Sequence, residues 1–257
     1  MKQSDAPLWD ALAAYAQVGV VPFHTPGHKL TAGPFTRIEE VLGPGFFALD
    51  PSDEIETLSL NHDFELALEK AEQLAAELFG AKQTLFLVNG TTGGRHYLLM
   101  PTQGSVVIPR FSHQAIYSAM MLAKGQAVYL PASYDPEWLI PVPPKPSEVQ
   151  KALAATNPEA LVITHPTYYG TVSELDEIAR LAKAQDVVLC IGEAHGGHFQ
   201  FSSGLPKTGL ASGADAVVQS THKTLGSFTQ TSMLHSNNAP WFSKVVQAQQ
   251  VLQTTSP

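Results

Sequence analysis

Residues 160–199 read ALVITHPTYYGTVSELDEIARLAKAQDVVLCIGEAHGGHF. This stretch holds an apolar run (160–164), a turn marked by Pro and Gly, a helix-like segment (174–185) and a second apolar run (187–191). Neither run alternates with polar residues, and unbroken runs of this length belong to strands buried on both faces. A strand, a helix and a second strand in that order make a parallel βαβ unit. The same alternation recurs on either side. Further runs lie at 84–88, 105–109, 127–130, 216–219 and 232–235, with helix-like stretches at 92–99, 113–124 and 147–155. The pattern predicts an α/β fold built on a mainly parallel, doubly wound sheet of about seven strands. PASYDPEWLIPVPPKP (131–146) is expected to be a Pro-rich crossing loop, because the strand series resumes after it.

Before this region, residues 7–18 predict a short amphipathic helix with Leu8, Leu12 and Tyr15 near one face. VVPFHTPGHKLTAGP (20–34) cannot be regular, since each Pro removes a donor and turns its predecessor away from the helical region. Residues 34–62 are expected to continue irregularly. A helix follows over about 63–79, with Leu66, Leu74 and Leu78 on its apolar side and Gly80 as its stop. The expected organisation is an N-terminal helix and irregular segment (1–62) and one larger domain (63–257). The chain stops at VLQTTSP, in or just after a helix that begins near Trp241, where a complete protein is not expected to end.

Composition narrows the function. The 257 residues are 44% apolar and 15% charged, with 15 Lys+Arg against 23 Asp+Glu, a net charge of −8. Nucleic acid or an anionic membrane would need a basic face. Cys190 is the only cysteine, so neither an internal disulfide nor a cysteine zinc cluster is available. The N-terminus lacks a signal-peptide pattern, and no run reaches the ~18 apolar residues of a membrane span. A cytoplasmic protein is expected.

Open α/β sheets bind ligands at the carboxyl ends of their strands. After 84–88 comes Asn89-Gly90-Thr91-Thr92-Gly93-Gly94 and then helix. A glycine-rich turn opening a helix presents free N–H groups to a phosphate, and Thr91 and Thr92 add hydroxyls. A plain strand–helix turn that needs glycine is the other reading. After 105–109, Ser112 is placed to cap the next helix and His113 to open it. After 187–191 come Glu193, His195 and His198, whose spacing matches no zinc pattern, so no metal is expected and His195 is read as a hydrogen-bonding group. After 216–219 comes Ser220-Thr221-His222-Lys223-Thr224. Most lysines are solvated surface charges, but one held at a buried sheet edge can have its pKa lowered and form a Schiff base.

These pieces occur together and in order in one family. HTPGHK (24–29), VNGTT (88–92), PRFSH (109–113), HPTYYG (165–170), EAHGGHF (193–199) and QSTHKTLGSFTQTSMLH (219–235) resemble the Orn/Lys/Arg decarboxylases, which are fold-type-I pyridoxal-phosphate (PLP) enzymes. The resemblance runs from about Pro7 to the end. It covers that family's N-terminal segment and cofactor-binding large domain, and implies that a C-terminal small domain is missing. It also implies decarboxylation of arginine, lysine or ornithine, a place in polyamine metabolism, and a homodimer with its sites at the dimer interface. By this resemblance Lys223 forms the Schiff base with the cofactor. Ser220, His222, Gly90, Thr91 and Thr92 hold the phosphate, His113 stacks on the ring, and His195 approaches the phenolic oxygen. Tyr168 and Tyr169 border the pocket, and HTPGHK lies at its mouth near the substrate. Asp50, Asp53, Glu54 and Glu56 are candidates to meet a cationic substrate side chain, though a solvated acidic loop explains them equally well.

The sequence departs from the family pattern in two places. The pattern is Asp-Glu-Ala-His, and here its first position is Gly192. That Asp holds the pyridine nitrogen protonated, which makes the ring an electron sink. Glu193 is not an obvious substitute, because adjacent strand side chains point to opposite faces. Losing the partner costs about two to four decades in rate. The resemblance therefore allows an alternative: an impaired PLP-fold protein that binds cofactor or a partner without efficient turnover. The second departure is Phe111 with Gln114 and Ala115, where polar or basic residues are expected.

Overall fold

The structure is a computed structural model and describes residues 1–33, 36–52 and 64–253. The chain divides into two compact units, Met1–Ala75 and Ala76–Gln253. In the first, α1 (Pro7–Val18) opens on a proline and ends at Gly19 in the left-handed conformation. Ala11 and Tyr15 are buried, while Leu8 and Leu12 are half-buried. The region after residue 34 is less irregular than expected. It contains α2 (Thr36–Leu42) and a short 3-10 turn over Phe46–Leu49. The punctuation at Gly43, Pro44 and Gly45 masks TRIEEVL, which carries no breaker of its own.

Helix α3 (Phe64–Phe79) ends at Gly80, whose φ is 70°. Of the expected apolar side, Leu74 is buried as predicted, whereas Leu66 and Leu78 are exposed and Ala67 is buried instead. Alanine carries too little apolar surface to mark a stripe in a hydropathy pattern.

The second unit is the α/β domain. Its elements run β1 (Gln83–Leu87), α4 (Gly90–Leu99), β2 (Ser105–Pro109), α5 (Gln114–Ala123) and β3 (Gln126–Leu130). The Pro-rich crossing carries a two-stranded ribbon, β4 (Ser133–Tyr134) and β5 (Pro141–Val142). Then come α6 (Pro146–Thr156), β6 (Ala160–Thr164), α7 (Leu175–Ala184) and β7 (Val188–Gly192). The chain continues through β8 (Ala216–Gln219), α8 (Thr221–Thr224), β9 (Ser232–Ser236) and α9 (Ala239–Leu252).

The main sheet has seven strands in the order β1-β9-β8-β7-β6-β2-β3. Only β9 runs antiparallel to its neighbours. The expected doubly wound, mainly parallel sheet is therefore present, and each predicted strand falls on an observed one. Val106, Ile108, Leu161, Ile163, Leu189 and Ile191 are fully buried, as a sheet covered on both faces requires. The register aligns the carboxyl ends of neighbouring strands, with Thr164 opposite Gly192 and Gly192 opposite Val218. Helix α4 starts at Gly90, two residues earlier than predicted, because Gly90 takes a φ of 63° that allows the abrupt turn. Gly94 lets α4 lie close on the sheet: a Cβ there would meet Leu87 Cδ1 at 2.5 Å and Val218 Cγ1 at 2.8 Å. Among the described residues no helix is long and apolar enough to cross a membrane.

Candidate active site

The carboxyl ends of the parallel strands surround a cavity of about 670 Å³ in the second unit. Arg95, His113, Tyr168, Tyr169, His195 and Lys223 are among its lining residues. Lys223 sits on α8, directly after β8, and its Nζ lies 3.2 Å from His195 Nε2. Desolvation holds the Lys223 amine below the usual lysine range, and the nearby Arg95 charge adds to this. His195 and His113 are also lowered, first by desolvation and then by the Lys223 and Arg95 charges. The local field thus favours neutral imidazoles and a larger share of neutral amine.

His113 also caps α5, its Nδ1 accepting from the Ala115 N–H at 3.1 Å. Ser112 is not the cap. Its hydroxyl donates to the Pro109 carbonyl oxygen at 2.8 Å, which uses it up in the turn before the helix starts. Phe111 packs edge-on against Tyr134 at 5.0 Å.

At the start of α4, Asn89 makes no side-chain cap. Thr91 and Ser220, brought together from β1–α4 and β8–α8, are buried and share a hydroxyl–hydroxyl hydrogen bond. The buried Thr221 Oγ1 has no partner. Uncapped first-turn N–H groups beside the Thr91 and Ser220 hydroxyls suit an anion, whereas Thr221 lines a separate cavity with Leu87, Val88 and Gln230. Gly90 and Thr91 are buried there and Thr92 is exposed. His222 turns elsewhere, donating Nδ1–H to the Thr231 carbonyl oxygen at 2.9 Å.

Glu193 points away from the cavity, as strand geometry predicts. Its carboxylate accepts from Gly209 N–H at 2.6 Å and Gln219 Nε2 at 2.7 Å. Burial raises it to about 7 against the lowering effect of those bonds. Gln219 Oε1 in turn lies 3.2 Å from His235 Nε2, and His235 Nδ1 lies 2.8 Å from Thr84 Oγ1. Desolvation drives the His235 ring down to about 3, so it stays neutral. His165 is likewise structural, with Nε2 donating to the Lys207 carbonyl oxygen and Nδ1 accepting from Ser173 N–H.

Over Gly192 stands the residue the sequence reading missed, Arg95. The residue is 5% exposed, and its Nη2 lies 3.4 Å from where a Cβ on Gly192 would be. Its Nε has no hydrogen-bond partner. Burial lowers the guanidinium to about 10. The signal was present in the sequence: Arg95 follows Thr91 by four residues and so shares its helix face.

In the first unit HTPGHK folds back on itself, with Lys29 Nζ donating to the His24 carbonyl oxygen at 2.6 Å. Asp50 meets His28 Nε2 at 3.1 Å. Asp53, Glu54 and Glu56 lie outside the described residues.

Comparison with known proteins adds lineage to this geometry. The family model for the Orn/Lys/Arg decarboxylase major domain matches residues 6–257. The chain belongs to the Orn/Lys/Arg decarboxylase family. An arginine decarboxylase of Halalkalibacterium halodurans is 34% identical over 239 residues, covering 91% of this chain and 48% of that protein. The solved Francisella novicida lysine decarboxylase superposes with a TM-score of 0.82 at 24% identity, over 98% of this chain and 38% of that one. A structure of SPT with PLP shares the fold at a TM-score of 0.58 and 17% identity, over 80% of this chain and 50% of that one. This decarboxylase-family chain spans about half the length of the curated relatives it matches. QSTHKTLGSFTQTSMLH, on which the resemblance chiefly rests, is the segment that carries Lys223 from β8 to β9.

Proposed function

We propose that this chain is the cofactor-carrying part of a PLP-dependent decarboxylase acting on a basic amino acid, arginine, lysine or ornithine. The observation that carries the reading is the Lys223 amine in the cavity, 3.2 Å from His195 and held below its ordinary pKa. The surrounding residues fit the cofactor. The uncapped start of α4 and the Thr91–Ser220 hydroxyl pair suit its phosphate. The cavity wall carries Arg95, Arg110 and Lys223 and no carboxylate among the described residues, which suits an anionic ligand.

When bound, PLP supplies an aldehyde that captures amines and a conjugated ring that draws electrons from a departing carboxylate. This chain's residues do the rest. Lys223 offers the amine that anchors the cofactor. His195 Nε2 orients that amine and exchanges a proton with Nζ. His113, fixed by its cap to Ala115, presents its ring to the cavity. Pro109, Pro131 and Pro141, with Tyr168 and Tyr169, form part of the cavity wall. A homodimer in the cytoplasm is the expected assembly.

A second reading has its own observation. Position 192 offers no carboxylate, and a guanidinium stands there instead, which favours cofactor binding without efficient turnover. One experiment addresses both. The chain is mixed with PLP, its visible spectrum recorded, and the adduct reduced with borohydride and mapped; amine release from arginine, lysine and ornithine is then measured. A label on Lys223 with amine release supports the first reading, and a label without release supports the second. No label on Lys223 overturns both.

A further inference from the structure

Arg95 is a buried cation without a counter-ion. Among the described residues it makes no ion pair, its Nε is unpartnered, and the cavity it lines contains no carboxylate. The one acid next to position 192, Glu193, faces the other side of the sheet and is occupied by Gly209 and Gln219. A guanidinium in such a place calls for an acceptor supplied by whatever fills the cavity. Arginine has donors only and does not give up its proton in proteins, so the atom that meets it must bring a lone pair.

The position of Arg95 limits what that atom can be. Thr91 and Arg95 are four residues apart on α4, so a single helix face presents the anion cradle and, one turn further in, the guanidinium. Lys223 takes the aldehyde end of the cofactor in the reading above, and the cradle takes its phosphate. Two polar atoms of the ring are left over: the phenolic oxygen, which the resemblance gives to His195 on the cavity wall, and the pyridine nitrogen. Position 192, to which the resemblance assigns that nitrogen's partner, is where the Arg95 Nη2 stands.

We propose that Arg95 donates a hydrogen bond to the cofactor's pyridine nitrogen and keeps that nitrogen unprotonated, replacing an acid–pyridinium contact with its electrostatic opposite. The inference rests on the reading that Lys223 carries PLP. A cation at hydrogen-bond distance disfavours a second positive charge, and Lys223, Arg110 and the two imidazoles around the cavity add no negative charge to offset it. The neutral ring is a weaker electron sink. Cofactor capture is retained, while carbanion-forming chemistry is slowed by the two to four decades expected for loss of the acid.

The test needs no turnover. The unsubstituted chain is loaded with PLP carrying nitrogen-15 in its ring, attachment to Lys223 is verified by borohydride labelling, and the nitrogen-15 resonance is followed from pH 6 to 9. Free cofactor on either side of its own ring pKa supplies the two reference positions. The expected resonance lies at the neutral-pyridine position and does not move with pH. In R95N/G192D it shifts to the pyridinium position. A pyridinium resonance in the unsubstituted chain with Lys223 labelled overturns the inference alone. Absence of the label overturns the functional reading and the inference with it.

Discussion

Replacing Gly192 with Asp tests the electrostatics of the cavity floor without any ligand. The backbone tolerates it, since the φ of Gly192 lies outside the left-handed region and the nearest atom to a Cβ is Arg95 Nη2 at 3.4 Å. Burial holds the Arg95 guanidinium down to about 10, a penalty on its charged form of roughly 3 kcal/mol. A carboxylate beside it recovers part of that penalty but must itself be desolvated, which leaves a net gain of about 1–2 kcal/mol. For a chain of this size the melting temperature rises by on the order of 4 °C. The new acid's pKa is depressed by Arg95 in the folded state. The gain is therefore present above the ordinary Asp value and lost as pH falls through the folded one. Melting curves of the cofactor-free chain and of G192D, at pH 7 and again near pH 3, show this directly. An unchanged or lowered melting temperature at pH 7 refutes the pairing, as does an equal gain in the R95N background. The same pairing makes G192D a poor rescue of turnover, because Arg95 captures the new carboxylate; only the double substitution frees it for the ring.

Other consequences are simpler to read. R95N removes one of the influences that lower Lys223, so the pH profile of borohydride-trappable PLP uptake moves to higher pH; an unmoved profile means Arg95 does not act on the amine. Glu193 is raised by burial to about 7, so the folded state holds a proton that the unfolded state has lost between the ordinary Glu value and 7. Urea stability then falls across that window, and in E193Q the fall is absent. G94A drives a methyl into Leu87 and Val218 and lowers stability by about 1–3 kcal/mol in the same assay, whereas an unchanged midpoint means that α4 lifts away from the sheet at no cost.

The strands were legible because a strand buried on both faces writes itself as an unbroken apolar run, and VVLCI could scarcely be read otherwise. Lys223, His195 and His113 were legible because each directly follows such a run or opens the next helix, at the edge where open sheets bind ligands. The strand order was not written in the sequence. Thr84, Glu193, Gln219 and His235 meet across four strands only because β9 inserts between β1 and β8. Arg95 was missed for a related reason. A lone arginine ordinarily implies solvent, but the wet side of α4 is narrow, carried by Thr92 and in part His96, and Arg95 lies on the covered side with Thr91, Leu98 and Leu99. Helix α2 was hidden by the glycines and proline that end it.

The reversed strand β9 also shapes how the amine is held. Because β9 returns beside β8, residues 220–231 form a tether pinned at both ends to adjacent strands rather than a crossover packed on the sheet. Its tip is bare, with Phe228 91% exposed. A protease nick there would leave all seven strands paired while untying one end of the segment that aims Lys223. If Lys223 has the function proposed for it, such a chain would keep its melting transition and lose its grip on an aldehyde, so that folding and loading could be cut apart at a single peptide bond.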